Sequence, residues 1–430
     1  MHGSGFFTVF LIIAAVSLLL DWYVFAGLRT LTYYWESVKL KHLVTFGYLF
    51  IAMGVAITLL FDFGSFRTAK GMTPLHEWLL SIFLTLLFTK LFFVLILFFG
   101  DLWRFFYGIV NYFVKPKSRA PAPFFPARRK FISQVAIVVA AVPFTSFFYA
   151  MLKGKYNFKL HKETLYFNDL PEAFDGFTIT QISDVHSGSF DNTAAVQRGI
   201  DMAKAQKSDL FVFTGDLVND AAWEIKPYMD HFSQLRAPYG QFSILGNHDY
   251  GDYINWNSDA EKAANLEELK RHHKELGYRL LLDENVEIEK DGQKLSLIGV
   301  QNWGRSFIKL GDLDKALKGV DKDAFKILLS HDPTHWEEKV RYHPTTIHLT
   351  LSGHTHGAQF GVETSHLKWS PVQYVYLDWA GLINEKNRYL YVNRGFGFLA
   401  FSGRLGIWPE VTVITLKKSG RPKDGKSESV

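Results

Sequence analysis

The sequence predicts two folds in one chain: a bundle of four membrane-spanning helices, followed by an α/β domain. Four apolar runs, at residues 6–27, 43–60, 78–99 and 131–151, are each long enough to cross about 30 Å of hydrocarbon. Trp and Tyr cluster at the ends of these runs, as they do at membrane–water interfaces. From Phe177 onward, short apolar strands alternate with amphipathic helical stretches, which is the order typical of α/β proteins.

Charge also separates the two parts. The predicted boundaries are residues 1–151 for the membrane domain, 152–417 for the α/β domain and 418–430 for a polar, disordered tail. Residues 1–150 hold 13 basic and 5 acidic residues, which leaves 34 basic and 37 acidic residues for the rest. The α/β domain therefore lacks the basic excess expected of a protein that binds a nucleic-acid polymer. The chain has no cysteine, so His, Asp, Glu or Asn must hold any metal.

The loop charges predict how the helices cross the membrane. Residues 115–130 carry six basic residues and no acidic one, and the first loop is also basic, whereas the second is nearly balanced. The positive-inside rule places the first and third loops in the cytoplasm and the α/β domain outside it. Residues 128–132 (RRKFI) also resemble a twin-arginine export signal, which makes that export machinery a candidate partner. An ordinary basic anchor explains the same residues and predicts the same topology.

Two ionisable residues, Asp21 and Lys90, interrupt the apolar runs. At about 1.5 Å of helix rise per residue, both lie at a similar depth in antiparallel helices. An unpaired charge is costly within a membrane, so we hypothesise an Asp21–Lys90 ion pair. The alternative is that Lys90 reaches a polar cavity alone.

Five predicted strands of the α/β domain end in polar residues beside a turn former. These endings are Asp184-Val185-His186, Gly215-Asp216, Gly246-Asn247-His248-Asp249, His331-Asp332 and Gly353-His354-Thr355-His356. Ligands of open α/β sheets gather beyond the carboxyl ends of the strands, so five such endings converge on one site. In D-x-H and H-x-H spacing, both side chains point to one face of extended backbone. The set supplies the carboxylate, imidazole and amide ligands that two neighbouring metal ions need.

These motifs, D-x-H … G-D … G-N-H-[D/E] … H … G-H-x-H, resemble those of the calcineurin-like metallophosphoesterases, complete and in order. The flanking residues 170–186, 353–357 and 391–397 are similar to those of bacterial membrane-anchored phosphoesterases. The resemblance spans about residues 157–417. It implies a two-sheet sandwich with helices on both outer faces, a four-layer αββα arrangement.

The resemblance also implies a role for each matching residue. One metal would be held by Asp184, His186, Asp216 and His356, and the second by Asp216, Asn247, His331 and His354, with Asp216 bridging the two. Mixed nitrogen and oxygen ligands suit Mn²⁺, Fe²⁺/³⁺ or Zn²⁺. His248 would contact the phosphoryl group and protonate the leaving oxygen as a general acid.

One position departs from the family pattern. Many relatives carry an Asp three residues after the bridging Asp, where it orients the catalytic His, but here that residue is Asn219. Either the next residue, Asp220, takes over through a shifted turn, or His248 lacks a carboxylate partner.

Several neighbouring residues have two interpretations. Asp249 and Asp332 are expected to support ligands or cap turns. Arg394 and Arg404, in late Gly-rich loops, either reach phosphate or form structural salt bridges. The aromatic side chains of residues 250–256 and 303–307 either line the mouth of the site or pack at its rim.

The predicted activity is hydrolysis of a phosphate monoester, diester or pyrophosphate at the outer membrane surface. Membrane anchoring favours a lipid-linked or cell-envelope phosphate over a free phosphorylated small molecule. Two alternatives stay open: a cytoplasm-facing nucleotide-lipid pyrophosphatase, and a metal-binding scaffold without turnover.

Overall fold

The computed structural model describes residues 3–33, 35–66, 73–114 and 126–418 of the chain. These residues divide into two compact units, with boundaries after residues 65, 77 and 149; residue 66 and residues 73–77 group with the second unit. The basic stretch 115–125, used above to predict topology, and residues 419–430 of the predicted disordered tail lie outside the described residues.

Four long helices form the first unit and confirm the predicted spans, extending each of them. They are α1 Gly3–Thr32, α2 Val38–Phe66, α3 Pro74–Val114 and α4 Pro126–Leu152. All four contain a stretch long and apolar enough to cross a membrane, and only 11–28% of each stretch is buried within the protein. Helices whose apolar side chains face outward to this extent are stable in lipid, where every backbone polar group is satisfied inside the helix. The protein is therefore a multi-pass membrane protein.

A buried ion pair joins two of these helices, as hypothesised. Lys90 Nζ lies 2.6 Å from Asp21 Oδ1, and the two side chains are 7% and 10% exposed. The Tyr48 hydroxyl donates a hydrogen bond of 2.5 Å to the same carboxylate oxygen. Three helices, α1, α2 and α3, thus meet at one polar cluster.

Breaking this pair from one side leaves a buried charge without its partner. We expect Lys90→Met to lower the free energy of unfolding by about 3–5 kcal/mol, and the added change Asp21→Asn to recover most of the loss. Arg104→Met is the control, because its pair with Asp101 is exposed and is expected to contribute less than about 1 kcal/mol. Denaturant titration in mixed micelles measures all three variants. A Lys90→Met protein as stable as the native chain would contradict the ion-pair assignment.

The second unit is a sandwich of two six-stranded sheets, as predicted. The first sheet has the order β1-β14-β2-β3-β4-β5 and the second β12-β13-β9-β8-β7-β6, with a separate hairpin β10-β11. The strands are β1 Lys159–Phe167, β2 Thr178–Ile182, β3 Leu210–Phe213, β4 Gln241–Ser243, β5 Arg279–Leu280, β6 Glu284–Lys290, β7 Gln293–Gly299, β8 Phe325–Leu329, β9 Leu349–Ser352, β10 Val362–Glu363, β11 Lys368–Trp369, β12 Gly381–Glu385, β13 Arg388–Val392 and β14 Glu410–Lys418.

Three apolar layers hold the sandwich together. The central layer lies between the sheets and includes Ile179, Leu210, Ile327 and Leu349. One outer layer packs the first sheet against helices α5 Thr193–Lys204, α6 Met229–Phe232 and α7 Asp259–Glu275. The other packs the second sheet against α8 Leu313–Ala316 and α9 Pro333–Glu338. Strands buried on both faces are continuous apolar runs, which is why the central ones are readable in the sequence.

The amphipathic pattern of residues 221–235 predicts an α-helix, and this prediction is wrong in kind. Residues 221–235 form a 3₁₀ helix, Ala222–Tyr228, followed by only a single α-helical turn. Pro227 lies within this segment, and a proline has no backbone N–H to donate to a continuing α-helix. Strands β5, β6 and β10–β12 were not predicted, because two-residue and half-polar strands carry little periodic signal.

Candidate metal centre

The carboxyl ends of five parallel strands, β2, β3 and β4 in one sheet and β8 and β9 in the other, bring the polar endings together. Backbone hydrogen bonds join neighbouring endings within each sheet: Asp184 N–H donates to Gly215 O at 2.9 Å, and Gly353 N–H donates to His331 O at 2.9 Å. Across the two sheets, His354 N–H donates to Asp184 Oδ1 at 2.9 Å. The site therefore lies where both sheets end.

Two groups of side chains in this region have the composition of metal sites. In the first cluster (Asp184, His186, His356) and in the second cluster (Asp216, His331, His354), one ligand atom from each residue lies within 4.8 Å of the others. Asp216 Oδ2 lies 3.0 Å from His331 Nε2 and 3.6 Å from His186 Nε2, a member of the first cluster. The Asp216 carboxylate thus stands between the clusters, where a bridging ligand would stand.

The amide of Asn247 is oriented toward the same centre. Its Nδ2 donates a 2.7 Å hydrogen bond to the Tyr253 hydroxyl, whereas its buried Oδ1 has no hydrogen-bond partner among the described residues. The neighbouring His248 N–H donates to Asp216 Oδ1 at 2.9 Å, which fixes this turn against the carboxylate. A buried oxygen without a partner is costly unless a cation or water satisfies it, so the donor set fits a bound metal.

Two imidazoles are held through the nitrogen that faces away from the centre. His331 Nδ1 lies 2.7 Å from Thr214 O, and His354 Nε2 lies 2.8 Å from the Tyr376 hydroxyl. In metal sites, an outer hydrogen bond of this kind fixes the tautomer and the ring orientation of a histidine ligand. The inward nitrogens of the two rings, His331 Nε2 and His354 Nδ1, are 3.3 Å apart.

His356 has a different outer contact. The buried Arg404 guanidinium donates to His356 Nδ1 at 3.0 Å and to Gly397 O at 2.8 Å. Arg404 therefore contacts a residue of the first cluster and is held by backbone, so its side chain is not available to bind phosphate in this arrangement. The inward His356 Nε2 has no hydrogen-bond partner among the described residues.

The backbone is left-handed at five of the seven predicted ligands, so the extended backbone expected for the D-x-H and H-x-H motifs is wrong. The φ angles are 52° at Asp184, 47° at His186, 59° at Asp216, 73° at His354 and 51° at His356. Non-glycine residues are rare in this region, and its cost is tolerated chiefly at functional sites. Two glycines make room for the carboxylates: a Cβ on Gly246 would lie 2.2 Å from Asp216 Oδ1, and one on Gly353 would lie 2.1 Å from Asp184 Oδ2.

Asp249 supports the metal centre by accepting backbone hydrogen bonds, which is one of the two roles expected for it. Its carboxylate accepts hydrogen bonds from the N–H groups of Asp216, Leu217 and Gly246 at 2.8–2.9 Å. Burial, assisted by the nearby Asp216, raises the pKa of Asp249 to about 7. Asp332 likewise caps α9 through Oδ1, while its Oδ2 lies 3.5 Å from His354 Nε2.

The partner of His248 is a backbone carbonyl. Its Nδ1 lies 2.6 Å from Asn219 O, and its ring stacks on Tyr253 with centroids 4.4 Å apart. Asp220 does not take over the orienting role, because His248 Nδ1 is already held by the Asn219 carbonyl. Burial, with Glu224 nearby, raises the pKa of Asp220 to about 8. A carbonyl stabilises an imidazolium less than a carboxylate does, and burial lowers the pKa of His248.

Arg394 does not reach the centre, which decides between its two interpretations. Its guanidinium lies 2.6 Å from Glu410 Oε2 and 2.6 Å from Glu363 Oε1. Both donor edges are occupied by carboxylates, and the side chain is buried among them. Arg394 is therefore part of a structural salt bridge.

The aromatic segments divide between the two expected roles. Tyr253 stacks on His248, and Phe307 packs its ring 4.7 Å from that of His354, so both lie at the mouth of the site. Trp256 instead donates to Gly251 O, and Trp303 packs on His335. Tyr376 was missed altogether, since it belongs to no recognisable motif.

Comparison with known families agrees with this geometry. A family model described as a probable calcineurin-like phosphoesterase transmembrane domain matches residues 6–155, and the calcineurin-like phosphoesterase model matches residues 177–358. The chain belongs to the calcineurin-like phosphoesterases. More particularly, it is a metallophosphoesterase that carries a four-helix transmembrane domain ahead of its catalytic domain.

Three individual relatives illustrate the similarity. The chain is 29% identical to the metallophosphoesterase YkuE of Bacillus subtilis over 301 residues, 68% of this chain and 98% of that one. It is 25% identical to a Danio rerio transmembrane protein with metallophosphoesterase domain, over 58% of this chain and 55% of that one. It is 28% identical to the UDP-2,3-diacylglucosamine pyrophosphatase LpxG of Chlamydia trachomatis, over 53% of this chain and 81% of that one.

The Tyr376 hydroxyl is expected to strengthen metal binding by orienting His354. Tyr376→Phe removes the hydroxyl and keeps the ring, so we expect the affinity of the second cluster for Mn²⁺ to fall by about 10–100-fold. Tyr374→Phe is the matched control, because Tyr374 is 76% exposed on the same loop. Isothermal titration calorimetry measures both, and equal affinities for the two variants would contradict the role.

Metal affinity is also expected to depend on pH. Burial alone would lower the pKa of His331, but the negative charge of Asp216 outweighs it and raises this pKa to about 10 in the metal-free protein. A metal needs the neutral ring, so binding below that pH must release the proton. We expect the apparent affinity for Mn²⁺ to rise about tenfold per pH unit from about pH 7 to 9. Calorimetry in buffers of different ionisation enthalpy counts the released proton, and a pH-independent affinity would refute the assignment.

Proposed function

We propose that this protein is a dinuclear-metal phosphoesterase that hydrolyses the phosphate or pyrophosphate bond of a lipid-linked substrate. The observation that carries the proposal is the position of the Asp216 carboxylate, between two clusters that each have the composition of a metal site. Paired ions sharing a carboxylate are the arrangement used for in-line displacement at phosphorus.

The residues that would hold the metals follow from the two clusters. Asp184, His186 and His356 would bind one ion, and Asn247, His331 and His354 the other, with Asp216 shared by both. Mixed nitrogen and oxygen ligands suit Mn²⁺, Fe²⁺/³⁺ or Zn²⁺. When bound, the ions would lower the pKa of a shared water and offset the negative charge of the phosphate.

The side chain of His248 would act on the substrate itself. Its Nδ1 donates to the Asn219 carbonyl, which leaves Nε2 for the substrate; in the doubly protonated ring, Nε2–H would donate a hydrogen bond to a phosphoryl oxygen. Because a carbonyl replaces the usual carboxylate, contact with the phosphoryl group is the principal role we assign to His248. Proton donation to the leaving oxygen is the weaker of its two contributions.

Two facts support a lipid-linked substrate. The catalytic domain is joined to four helices that span the membrane, so lipid phosphates are always nearby. One relative, LpxG, is named for the hydrolysis of UDP-2,3-diacylglucosamine, a diacylated pyrophosphate compound. The same name supports a second candidate function, a cytoplasm-facing nucleotide-lipid pyrophosphatase, which differs from the first in topology.

A soluble substrate distinguishes an active phosphoesterase from a metal-binding scaffold without turnover. We expect the purified chain with Mn²⁺ to hydrolyse bis(p-nitrophenyl) phosphate, and His248→Ala to lower kcat by about 10²–10⁴-fold without loss of metal. Asp216→Asn is expected to abolish both turnover and binding of the second metal. His343→Ala, a histidine paired with Asp314 away from the site, is the control and should keep full activity. Absence of turnover with Mn²⁺, Fe²⁺ and Zn²⁺ alike would favour the scaffold.

The side of the membrane is tested separately. The positive-inside rule supports an extracytoplasmic catalytic domain, and twin-arginine export stays a prediction from the RRKFI sequence. We expect alkaline phosphatase, which is active only outside the cytoplasm, to be active when fused after Val430. Activity of a cytoplasm-restricted reporter at the same position would instead support the nucleotide-lipid alternative.

A further inference from the structure

A short loop beside the metal centre exposes large apolar side chains. This apolar loop, residues 370–377, has no charged residue and joins β11 to the buried Trp379. Three of its side chains are strongly exposed: Tyr374 at 76%, Val375 at 66% and Leu377 at 83%. Isolated apolar residues are common on protein surfaces, but a cluster of this kind usually marks an interaction site.

Hydrogen bonds fix the loop to the rest of the domain at both ends, so the exposed positions of its side chains are fixed by the fold. The Ser370 hydroxyl donates to Gly357 O at 2.7 Å, and the Thr355 hydroxyl donates to Trp379 O at 2.6 Å. Val372 and Tyr376 pack inward against a small apolar cluster formed by Trp379 and its neighbours. The inward side chains thus pack within the domain, whereas the outward ones are free to contact a partner.

The loop also reaches the metal centre directly. Between the exposed Val375 and Leu377, Tyr376 turns inward and places its hydroxyl 2.8 Å from His354 Nε2. Phe307 packs against the same histidine ring. An apolar surface therefore begins at the edge of the second cluster and continues outward to the tip of the loop. This segment lies beyond residues 177–358, which match the general family model.

We infer that the apolar loop contacts the acyl chains of bilayer lipids and so selects a phosphate carried by a membrane lipid. The inference rests on the proposed function and specifies how its substrate is recognised. Exposed Tyr, Val and Leu side chains settle at a lipid–water boundary, and a chain with four membrane spans always has a bilayer as its neighbour. A second copy of the chain fits the loop less well, because three side chains are few for a stable interface of about 800 Å² per partner.

Because the chain has no cysteine, one introduced cysteine can be labelled specifically with a fluorophore that reports lipid contact. A bimane fluorophore attached at Leu377→Cys, in full-length protein in phosphatidylcholine nanodiscs, reports quenching by nitroxide-labelled acyl chains. The matched control is Tyr342→Cys: Tyr342 is 66% exposed and precedes β9, whereas the metal centre follows that strand. We expect quenching at position 377 to exceed that at position 342 several-fold. Equal quenching at both positions would overturn the inference, as would energy transfer between two labelled copies, which identifies a protein partner instead.

A second measurement concerns selection of the substrate. Dioleoyl phosphatidic acid and glycerol 3-phosphate, which share a head group, are compared as inhibitors of bis(p-nitrophenyl) phosphate hydrolysis. We expect the acylated compound to inhibit the native protein at least about tenfold better. The variant Tyr374→Ser/Val375→Ser/Leu377→Ser should lose this advantage and keep its aryl-ester turnover.

The two proposals fail in different ways. An acyl preference that survives in the triple variant, or is absent from the native protein, overturns the role of the loop while the phosphoesterase stands. Absence of aryl-ester turnover in the native protein overturns the proposed function, and the quenching comparison then decides lipid contact alone.

Discussion

The buried carboxylate of Asp216 is the group around which the catalytic domain is organised. Burial would raise its pKa, but the imidazoles around it, His331 foremost, hold the pKa well below its usual range. A buried anion is stable only when positive charge or hydrogen bonds surround it. His331, His248 and His186 supply this compensation as imidazoles, and the His248 N–H donates a hydrogen bond to Asp216 Oδ1. The positions of the other ligands follow from this requirement.

The convergence of the polar strand endings was readable in the sequence because it follows from short-range patterns, whereas the two-sheet sandwich followed from the resemblance to a known family. An apolar run followed by Gly-Asp216 or by Gly-Asn247-His248 is visible within ten residues, and parallel strands bring such endings to one edge. The membrane spans were equally plain, because hydropathy over about 20 residues decides them. The Asp21–Lys90 contact was also predictable, because the two residues lie at a similar depth in the membrane and an unpaired charge is costly there.

The features that the sequence could not predict depend on contacts between residues distant in sequence or on the exact path of a turn. Arg394 meets Glu363, 31 residues away, and no local pattern distinguishes that pairing from a phosphate contact. The choice of the Asn219 carbonyl over Asp220 as partner of His248 follows from the path of one turn. Tyr376 lies in a loop without motif, so only the three-dimensional structure shows that it contacts His354.

The strand order of the first sheet has a consequence for biosynthesis. β14 lies between β1 and β2, and its neighbour β1 runs parallel to it over nine residue pairs. The sheet therefore stays open until residues 410–418 have left the ribosome, long after α1–α4 have been translated. Asp184 and His186 follow β2, the strand that pairs with β14, so the anchor is made first and these candidate metal ligands gain their final support last.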